Sequence, residues 1–398
     1  MTRTERIYCV LPRWAQHVAT TIKGAQFYMT RYSGVFSETL AFLRETEFAP
    51  ASTLGHLQAE QLCRLIRFAA ESSPYYRRLF AKHGVKWTDM EAVKGLRRIP
   101  ITEKQALRDH SEEFRADAAT RWPLIKWHTS GTTGTPLTLH FTREAFQRAF
   151  AFIELYRNQA GVHRRARRGQ FTGKVIVPPR SGASGRCFWR RDLANNTLLL
   201  STMHLSPANL PAYAERLRRF QPEYLSGYPS AMYVVAQYFK YSGQPAPRLK
   251  AALTSAETLL DHQRETIEEV FGTHVFDQYG QCEMQAFWYE CAAGSLHAHP
   301  LFGVSEILRP NGEPAPPGEF GDVVVTGFLN YAVPLIRYRV GDVGAFSDQL
   351  CPCGRQMPII KKVLGRRDDY VFTRDRGFLG RLDPVFKGVQ HILESQIV

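Results

Sequence analysis

Between Thr197 and Tyr279 short apolar runs alternate with longer amphipathic stretches, and this alternation constrains the fold more than any other feature of the chain. Thr197–Leu205, Tyr224–Leu225, Leu249–Thr254 and Thr273–Tyr279 read as buried strands. Pro207–Phe220, Ser230–Tyr241 and Thr258–Phe271 read as helices. Strands separated by helices of this length cannot pair as hairpins. They demand a mostly parallel sheet with helices on both faces, so the fold class is α/β. Upstream, residues 56–82 carry a helical repeat of Leu57, Leu62, Leu65, Ile66, Ala69 and Ala70, interrupted at Ser72–Ser73–Pro74. Thr102 and Gln105 suggest a capping box opening a further helix. Leu124–His128 and Leu137–Phe141 are strand-like around a loop of small residues, Arg143–Asn158 is helical, and Lys174–Pro178 is strand-like.

From Gly303 the texture changes. Val304–Leu308, Asp322–Phe328 and Leu335–Val340 are strands divided by Gly- and Pro-rich turns with no helix between them, which predicts a smaller antiparallel or barrel-like part. There is no internal repeat.

With 398 residues, 44% of them hydrophobic, the chain can bury a large core. No run of about 18 apolar residues predicts a membrane-spanning helix. Met1–Thr30 scatters Arg3, Arg6, Arg13 and Lys23 among apolar residues, without the pattern of a secretory signal. Seven cysteines in a chain this long do not form a disulfide scaffold, and a reducing, cytoplasmic setting is expected. The formal charge of +14 is compatible with a nucleic-acid surface, an anionic membrane surface or an anionic small substrate. The densest basic run, His163–Arg168, reads as a solvated loop, and no nucleic-acid module accompanies it.

The sharpest local feature is Thr129–Ser130–Gly131–Thr132–Thr133–Gly134–Thr135–Pro136. Hydroxyls and backbone N–H groups on a glycine-rich loop suit phosphate oxygens. It is not a Walker A loop, because the lysine is missing and strand patterns flank it on both sides. The segment resembles the phosphate-binding loop of the adenylate-forming enzymes, the superfamily of acyl-CoA synthetases. Four more motifs follow in that superfamily's order: Ala256–Glu257, Tyr279–Gly280–Gln281–Cys282–Glu283, Tyr338–Arg339–Val340–Gly341–Asp342, and Gly365–Arg366–Arg367–Asp368–Asp369. Cys351–Pro352–Cys353–Gly354–Arg355 and Gly380–Arg381–Leu382–Asp383 bring the chain nearest to the phenylacetate–CoA ligase branch and its CapK-like relatives.

The resemblance implies a large adenylation domain over residues 1–364, of which about 303–364 is the antiparallel part, followed by a hinge and a truncated C-terminal lid domain over 365–398. It implies a carboxylate ligase that uses ATP with Mg²⁺, forms acyl-AMP and pyrophosphate, and passes the acyl group to CoA or another nucleophile. Ser130, Gly131, Thr132, Thr133, Gly134, Thr135, Ala256, Glu257, Gln278, Tyr279, Gly280, Asp342 and Arg366 would bind the nucleotide. Glu283 would hold Mg²⁺ and, with Thr132 and Arg366, act in the chemistry. Asp368 would be the hinge, and Tyr228 and Phe287 would line the acyl pocket. The family lid runs well past the hinge and carries a lysine that contacts the reacting groups, whereas this chain ends at Val398 with Lys387 too near the hinge to match it. Slow acyl-AMP formation by the isolated chain is therefore expected.

Cys291, His297, His299, Cys351 and Cys353 form a second constellation. Taken alone they read as buried thiols with a surface histidine, since the C-x-C spacing is unusual for zinc; the resemblance, which puts both halves in one region, implies a closed tetrahedral Zn²⁺ site of three thiols and an imidazole, with His297 as the fourth ligand over His299. Other readings stay open: a nucleotide-binding paralogue without turnover, an adenylating subunit whose lid comes from another chain, a basic nucleic-acid or membrane-surface protein, and a zinc-stabilised interaction module; a homodimer is equally compatible.

Overall fold

A computed structural model describes residues 3–86, 93–128, 137–178, 187–366, 371–373 and 377–379. Three helices not foreseen in the sequence come first: α1 (Arg3–Val10), α2 (Arg13–Arg31) and α3 (Phe36–Thr46). The expected helical repeat forms α4 (Ala51–Ser72) and α5 (Pro74–His83). The break has a local cause: Pro74 starts a helix without needing its missing N–H, and left-handed Gly84 closes it. Next come α6 (Lys104–Asp109) and α7 (Ser111–Phe114), the antiparallel hairpin β1 (Ile125–His128) and β2 (Thr138–Phe141), and α8 (Arg143–Gln159). Thr142 caps α8, its hydroxyl accepting from the Ala145 N–H at 3.0 Å.

The alternating region follows as β3 (Arg168–Thr172), β4 (Trp189–Asp192), β5 (Thr197–Ser201), α9 (Leu210–Phe220), β6 (Tyr224–Gly227), α10 (Pro229–Ser242), β7 (Ala251–Ser255), α11 (Asp261–Phe271) and β8 (Val275–Gly280). Then come β9 (Phe287–Glu290), β10 (Leu296–Ala298), β11 (Gly303–Leu308), β12 (Gly321–Gly327), β13 (Tyr338–Ser347) and β14 (Ile359–Arg366), with a small pair, β15 (Val371–Thr373) and β16 (Gly377–Leu379). One twelve-stranded sheet runs β11-β12-β13-β14-β10-β9-β8-β7-β6-β3-β5-β4. Strands β5, β3, β6, β7 and β8 are mutually parallel, as the alternation demanded. The antiparallel strands are hydrogen-bonded onto this set through β9 and β10.

Four local readings change. The strand expected at Lys174–Pro178 lies earlier, at Arg168–Thr172. The basic run hid it, and Gly169 allows close packing there, since a Cβ would come 2.6 Å from a Leu225 methyl. The same run is only partly a solvated loop, because Arg164 pairs with the buried Glu154 at 3.3 Å. The strand begun at Thr197 stops at Ser201 and turns through a short 3₁₀ segment. Thr102 does not cap a helix. Its hydroxyl donates to the Ile336 carbonyl at 2.8 Å, and its backbone pairs with β13.

Three apolar clusters fill the molecule. The first lies under α4, α5, the β1–β2 hairpin and the antiparallel strands, the second between α3, α8 and β7–β9, and the third between α9–α11 and the parallel strands. Arg337, just before β13, ties several of these parts together. Its guanidinium is buried and donates to both Glu306 oxygens, at 3.1 and 3.0 Å, and to the Ile99 carbonyl at 2.8 Å. Its N–H donates to Thr326 Oγ1 at 2.9 Å, and its carbonyl accepts from the Thr102 N–H. The backbone is held at φ +47°, a left-handed conformation that a non-glycine residue adopts only when its surroundings enforce it. Arg337→Met should cost about 3 kcal/mol in urea unfolding, because the Glu306 carboxylate is left without its partner. The double variant Arg337→Met/Glu306→Met should recover part of that loss.

Candidate functional site

The carboxyl ends of β7 and β8 lie side by side, with Ser255 paired to Gln278, and here an open α/β sheet binds ligands. Ala256 leaves β7 at φ +71°, so the chain turns sharply and presents Glu257. A Glu257 carboxylate oxygen accepts from the Ser230 N–H, at the start of α10, at 3.3 Å. Glu257, Tyr228, Gly173, Thr202 and Ser230 line a cavity of about 370 Å³.

On β8 the Tyr279 phenol donates to Asp342 Oδ2 at 2.6 Å, and its ring stacks on Trp288 at 4.2 Å and 24°. Gln281 Nε2 donates to the same phenol oxygen at 3.3 Å. Burial, with the Asp342 charge beside it, holds Tyr279 well above the usual tyrosine range. Burial also pushes the Asp342 carboxyl up, against the pull of Tyr279 and Arg366. Arg366, ending β14, places its Nε 3.4 Å from Asp342 Oδ1. Glu283 is buried, accepts from the Tyr338 hydroxyl at 3.2 Å and has Lys104 Nζ at 4.0 Å.

Tyr279, Glu283, Asp342 and Arg366 therefore converge, although β8 is far in sequence from β13 and β14. Ala256, Gln278 and Gly280 sit on the same strand ends. Lys104 and Tyr338 were not singled out as site residues. Tyr338 begins the Tyr338–Asp342 motif, whereas Lys104 carries no sequence signal because only the docking of α6 against β13 brings it near. Ser130, Gly131, Thr132, Thr133, Gly134, Thr135 and the hinge residue Asp368 lie outside the described residues. Phe287 is placed differently from the pocket role expected of it. It is buried in an aromatic cluster with Phe152, Tyr156 and Phe302, because alternation along β9 turns it away from Trp288 and the site.

A second cluster lies on the neighbouring strands. The ligand atoms of Cys291, His297, Cys351 and Cys353 all fall within 4.8 Å of one another. Cys291 and Cys351 sulfurs are 3.5 Å apart, and Cys353 Sγ is 3.4 Å from His297 Nε2. Tetrahedral Zn²⁺ with thiolate and imidazole ligands would set these separations at about 3.8 and about 3.6 Å. Burial holds His297 down to about 4, so the imidazole is neutral and its nitrogen can ligate. Burial pushes the Cys291 thiol up to about 11. Cys351 falls below the usual thiol range, because hydrogen bonds from Ser295 and Cys353 outweigh the effect of burial. His299 stands apart, packed edge-on against Phe152 at 4.6 Å.

No protein-family model matches the chain. It is 28% identical to Protein CapK of Staphylococcus aureus over 397 residues, which span 98% of this chain and 85% of the relative. It is also 28% identical to the phenylacetate-coenzyme A ligase of Thermus thermophilus over 344 residues, 83% of this chain and 74% of that one. Its fold matches 2-hydroxyisobutyryl-CoA ligase in the postadenylation state, in complex with R3-HIB-AMP, at a TM-score of 0.70. That match has 19% identity and covers 87% of this chain and 75% of the other. An open conformation of the same ligase, in complex with 2-HIB-AMP and CoA, matches at 0.68. The fold is thus that of the adenylate-forming ligases. The sequence relatives include a CapK protein and phenylacetate-coenzyme A ligases, the branch that the segments at Cys351–Arg355 and Gly380–Asp383 resemble.

Proposed function

We propose that the chain is an adenylate-forming carboxylate ligase. A substrate carboxylate oxygen bonds to the α-phosphorus of ATP, the bond to the bridging oxygen breaks, and pyrophosphate leaves. The acyl-AMP then passes its acyl group to the thiol of CoA or to another nucleophile, releasing AMP. The observation that carries this reading is the convergence of Tyr279, Glu283, Asp342 and Arg366 at the carboxyl ends of β7 and β8.

Each group has a task its chemistry suits. Asp342 would accept hydrogen bonds from the ribose hydroxyls, and Tyr279 would offer its ring to the adenine. Glu283 would supply a hard oxygen ligand for Mg²⁺, and the ion would supply charge neutralisation at the phosphates. Displacement at phosphorus needs that neutralisation more than proton transfer. Arg366 adds a positive charge at the same place. The resemblance assigns the phosphates to Ser130–Thr135, with Thr132 among the residues acting in the chemistry, and the hinge to Asp368. Tyr228 and Glu257 border the space left for the acyl chain and nucleotide. The chemistry belongs to a reducing, cytoplasmic setting, where thiols persist.

Cys291, His297, Cys351 and Cys353 would hold Zn²⁺ as a closed four-ligand site with no position left for substrate. Its role would be to lock the segment around Cys351 and Cys353 onto β9 and β10.

Pyrophosphate release across a panel of carboxylic acids tests the reading. Asp342→Ala should weaken ATP binding by about tenfold, the loss of a hydrogen bond to a charged group, as read by calorimetry. Glu283→Gln should lower Mg²⁺-dependent turnover by about a hundredfold with a smaller effect on binding. Saturable ATP binding with no pyrophosphate released from any acid would point instead to a nucleotide-binding protein without turnover. A folded protein that binds neither ATP nor AMP ends both readings.

Elemental analysis of protein purified without chelator should find about one Zn²⁺ per chain. Stripping it should lower the melting temperature, and Cys353→Ser should reproduce that loss. Metal-free protein of equal stability would remove zinc from the proposal.

A further inference from the structure

Helix α2 lies along β4, the edge strand of the sheet, and polar contacts fix its rotation. His17 Nδ1 accepts from the Arg191 N–H at 2.9 Å, Thr21 Oγ1 accepts from the Leu193 N–H at 3.2 Å, and the Gly24 carbonyl accepts from Asn195 at 3.0 Å. Lys23, Phe27 and Arg31, spaced four apart, then share one face of the helix. That face meets α8 and the segment after β3. The Arg31 guanidinium lies 4.3 Å from the centre of the Phe150 ring, and Lys174 Nζ lies 5.4 Å from that of Phe27.

Three cations thus gather on the Phe27 ring. Lys23 Nζ is 4.9 Å from its centre, the Arg31 guanidinium 4.5 Å and Lys174 Nζ 5.4 Å. No two of them can be further apart than twice the longest of these distances, which is comparable with the screening length in physiological salt. Lys174 Nζ also sits 5.1 Å from the centre of the Trp127 ring. Ring electrons attract each cation weakly but do not cancel the repulsion among the three. Among the described residues none of them forms an ion pair. Lys23 donates to Gln26 at 3.4 Å. Asp192, whose charge Arg31 feels, is already engaged by Asn195 at 2.7 Å. The segments 129–136 and 179–186, next to the cluster in sequence, contain no Asp or Glu. Desolvation, with the charges of Arg31 and Lys23, holds Lys174 below the usual lysine range, and desolvation brings Arg31 down to about 10. Unpaired like charges grouped this closely focus their field on one place and favour an anion there.

The place is the rim of the candidate site. Strand β3 runs parallel to β6, and through it to β7 and β8, so its carboxyl end opens on the same edge of the sheet as Glu257 and Tyr279. Lys174 follows that end by two residues, and its neighbour Gly173 lines the cavity shared with Tyr228 and Glu257. Lys174 is within electrostatic reach of Cys282, the residue before Glu283, and the Trp127 side chain is hydrogen-bonded to the Cys282 thiol.

The count of charges selects the ligand. A second carboxylate on the acid substrate would be met by one cation. A nucleic acid would need cations spread along a groove rather than grouped on one ring. A polyphosphate brings several negative charges on oxygens that lysine and arginine both bind.

We propose that Lys23, Arg31 and Lys174 form a polyphosphate site beyond the carboxyl end of β3, holding the β- and γ-phosphates of ATP and then the pyrophosphate released from it. The identity of this ligand rests on the ligase reading. When the bond between the α-phosphorus and the bridging oxygen breaks, its electron pair leaves with pyrophosphate, and the three cations take up that charge with no proton transferred.

The test is calorimetry of the full chain with ATP and Mg²⁺, with AMP, and with inorganic pyrophosphate. The unaltered chain should bind pyrophosphate. Lys23→Gln/Lys174→Gln should bind ATP and pyrophosphate about tenfold more weakly. Its affinity for AMP should be unchanged, and its melting temperature should not fall, because two like charges have been removed. Lys174→Arg should keep the affinity for both polyphosphates. Unchanged ATP and pyrophosphate binding by the double variant would overturn the proposal, as would an equal loss for AMP. A loss confined to CoA or to a dicarboxylic acid would also overturn it, by giving the charges to another partner. Pyrophosphate binding that the double variant loses, in a chain that binds no AMP, would uphold the site and count against the ligase reading. AMP binding without pyrophosphate binding would end the site and leave the ligase reading standing.

Discussion

The Arg337 guanidinium, buried against Glu306 and the Ile99 carbonyl, is the contact on which the arrangement of the candidate site depends. It joins the segment before α6 to β11, and the backbone around it bonds to both Thr326 and Thr102. The strand that begins immediately afterwards carries Tyr338 and Asp342. Tyr338 reaches Glu283, and Asp342 meets Tyr279 and Arg366. A buried ion pair need not add stability compared with an apolar core, but an incomplete one is costly, so the pair specifies one docking of β13.

From that docking the site acquires its electrostatic character. Two carboxylates, Glu283 and Asp342, are held in a partly dry setting with Lys104 and Arg366 beside them. Burial raises Asp342, and the neighbouring cation pulls the other way.

The thiol cluster shows how the antiparallel strands serve the same sheet. Strand β10 pairs with β14 and with β9, so His297 and Cys291 are brought beside the segment holding Cys351 and Cys353. A cross-link there would brace the strand that ends in Arg366. Strand β14 is the element common to the thiol cluster and to the Asp342–Arg366 pair. At the far edge of the sheet, β4 is covered by the polar side of α2.

Much of this was determined by the sequence alone. The alternation from Thr197 to Tyr279 requires parallel strands with crossover helices, because such strands have no other way to pair. The resemblance carried by the motifs singled out Tyr279, Glu283, Asp342 and Arg366, which the fold brings together, and with the chemistry of sulfur and imidazole it singled out Cys291, His297, Cys351 and Cys353, whose ligand atoms the fold also gathers. What only the tertiary structure decided are contacts with no local signature. Lys104 reaches Glu283 because α6 packs on β13. Phe287 turns into the core because of the pleat of β9. Strand β3 is masked by its own arginines, and Thr102 bonds β13 instead of capping a helix. Local patterns record the energy of a residue within its own segment. The partner of a buried polar group, and the face an alternating strand presents, are set by which distant segments pack together, and that choice is made by the whole core at once.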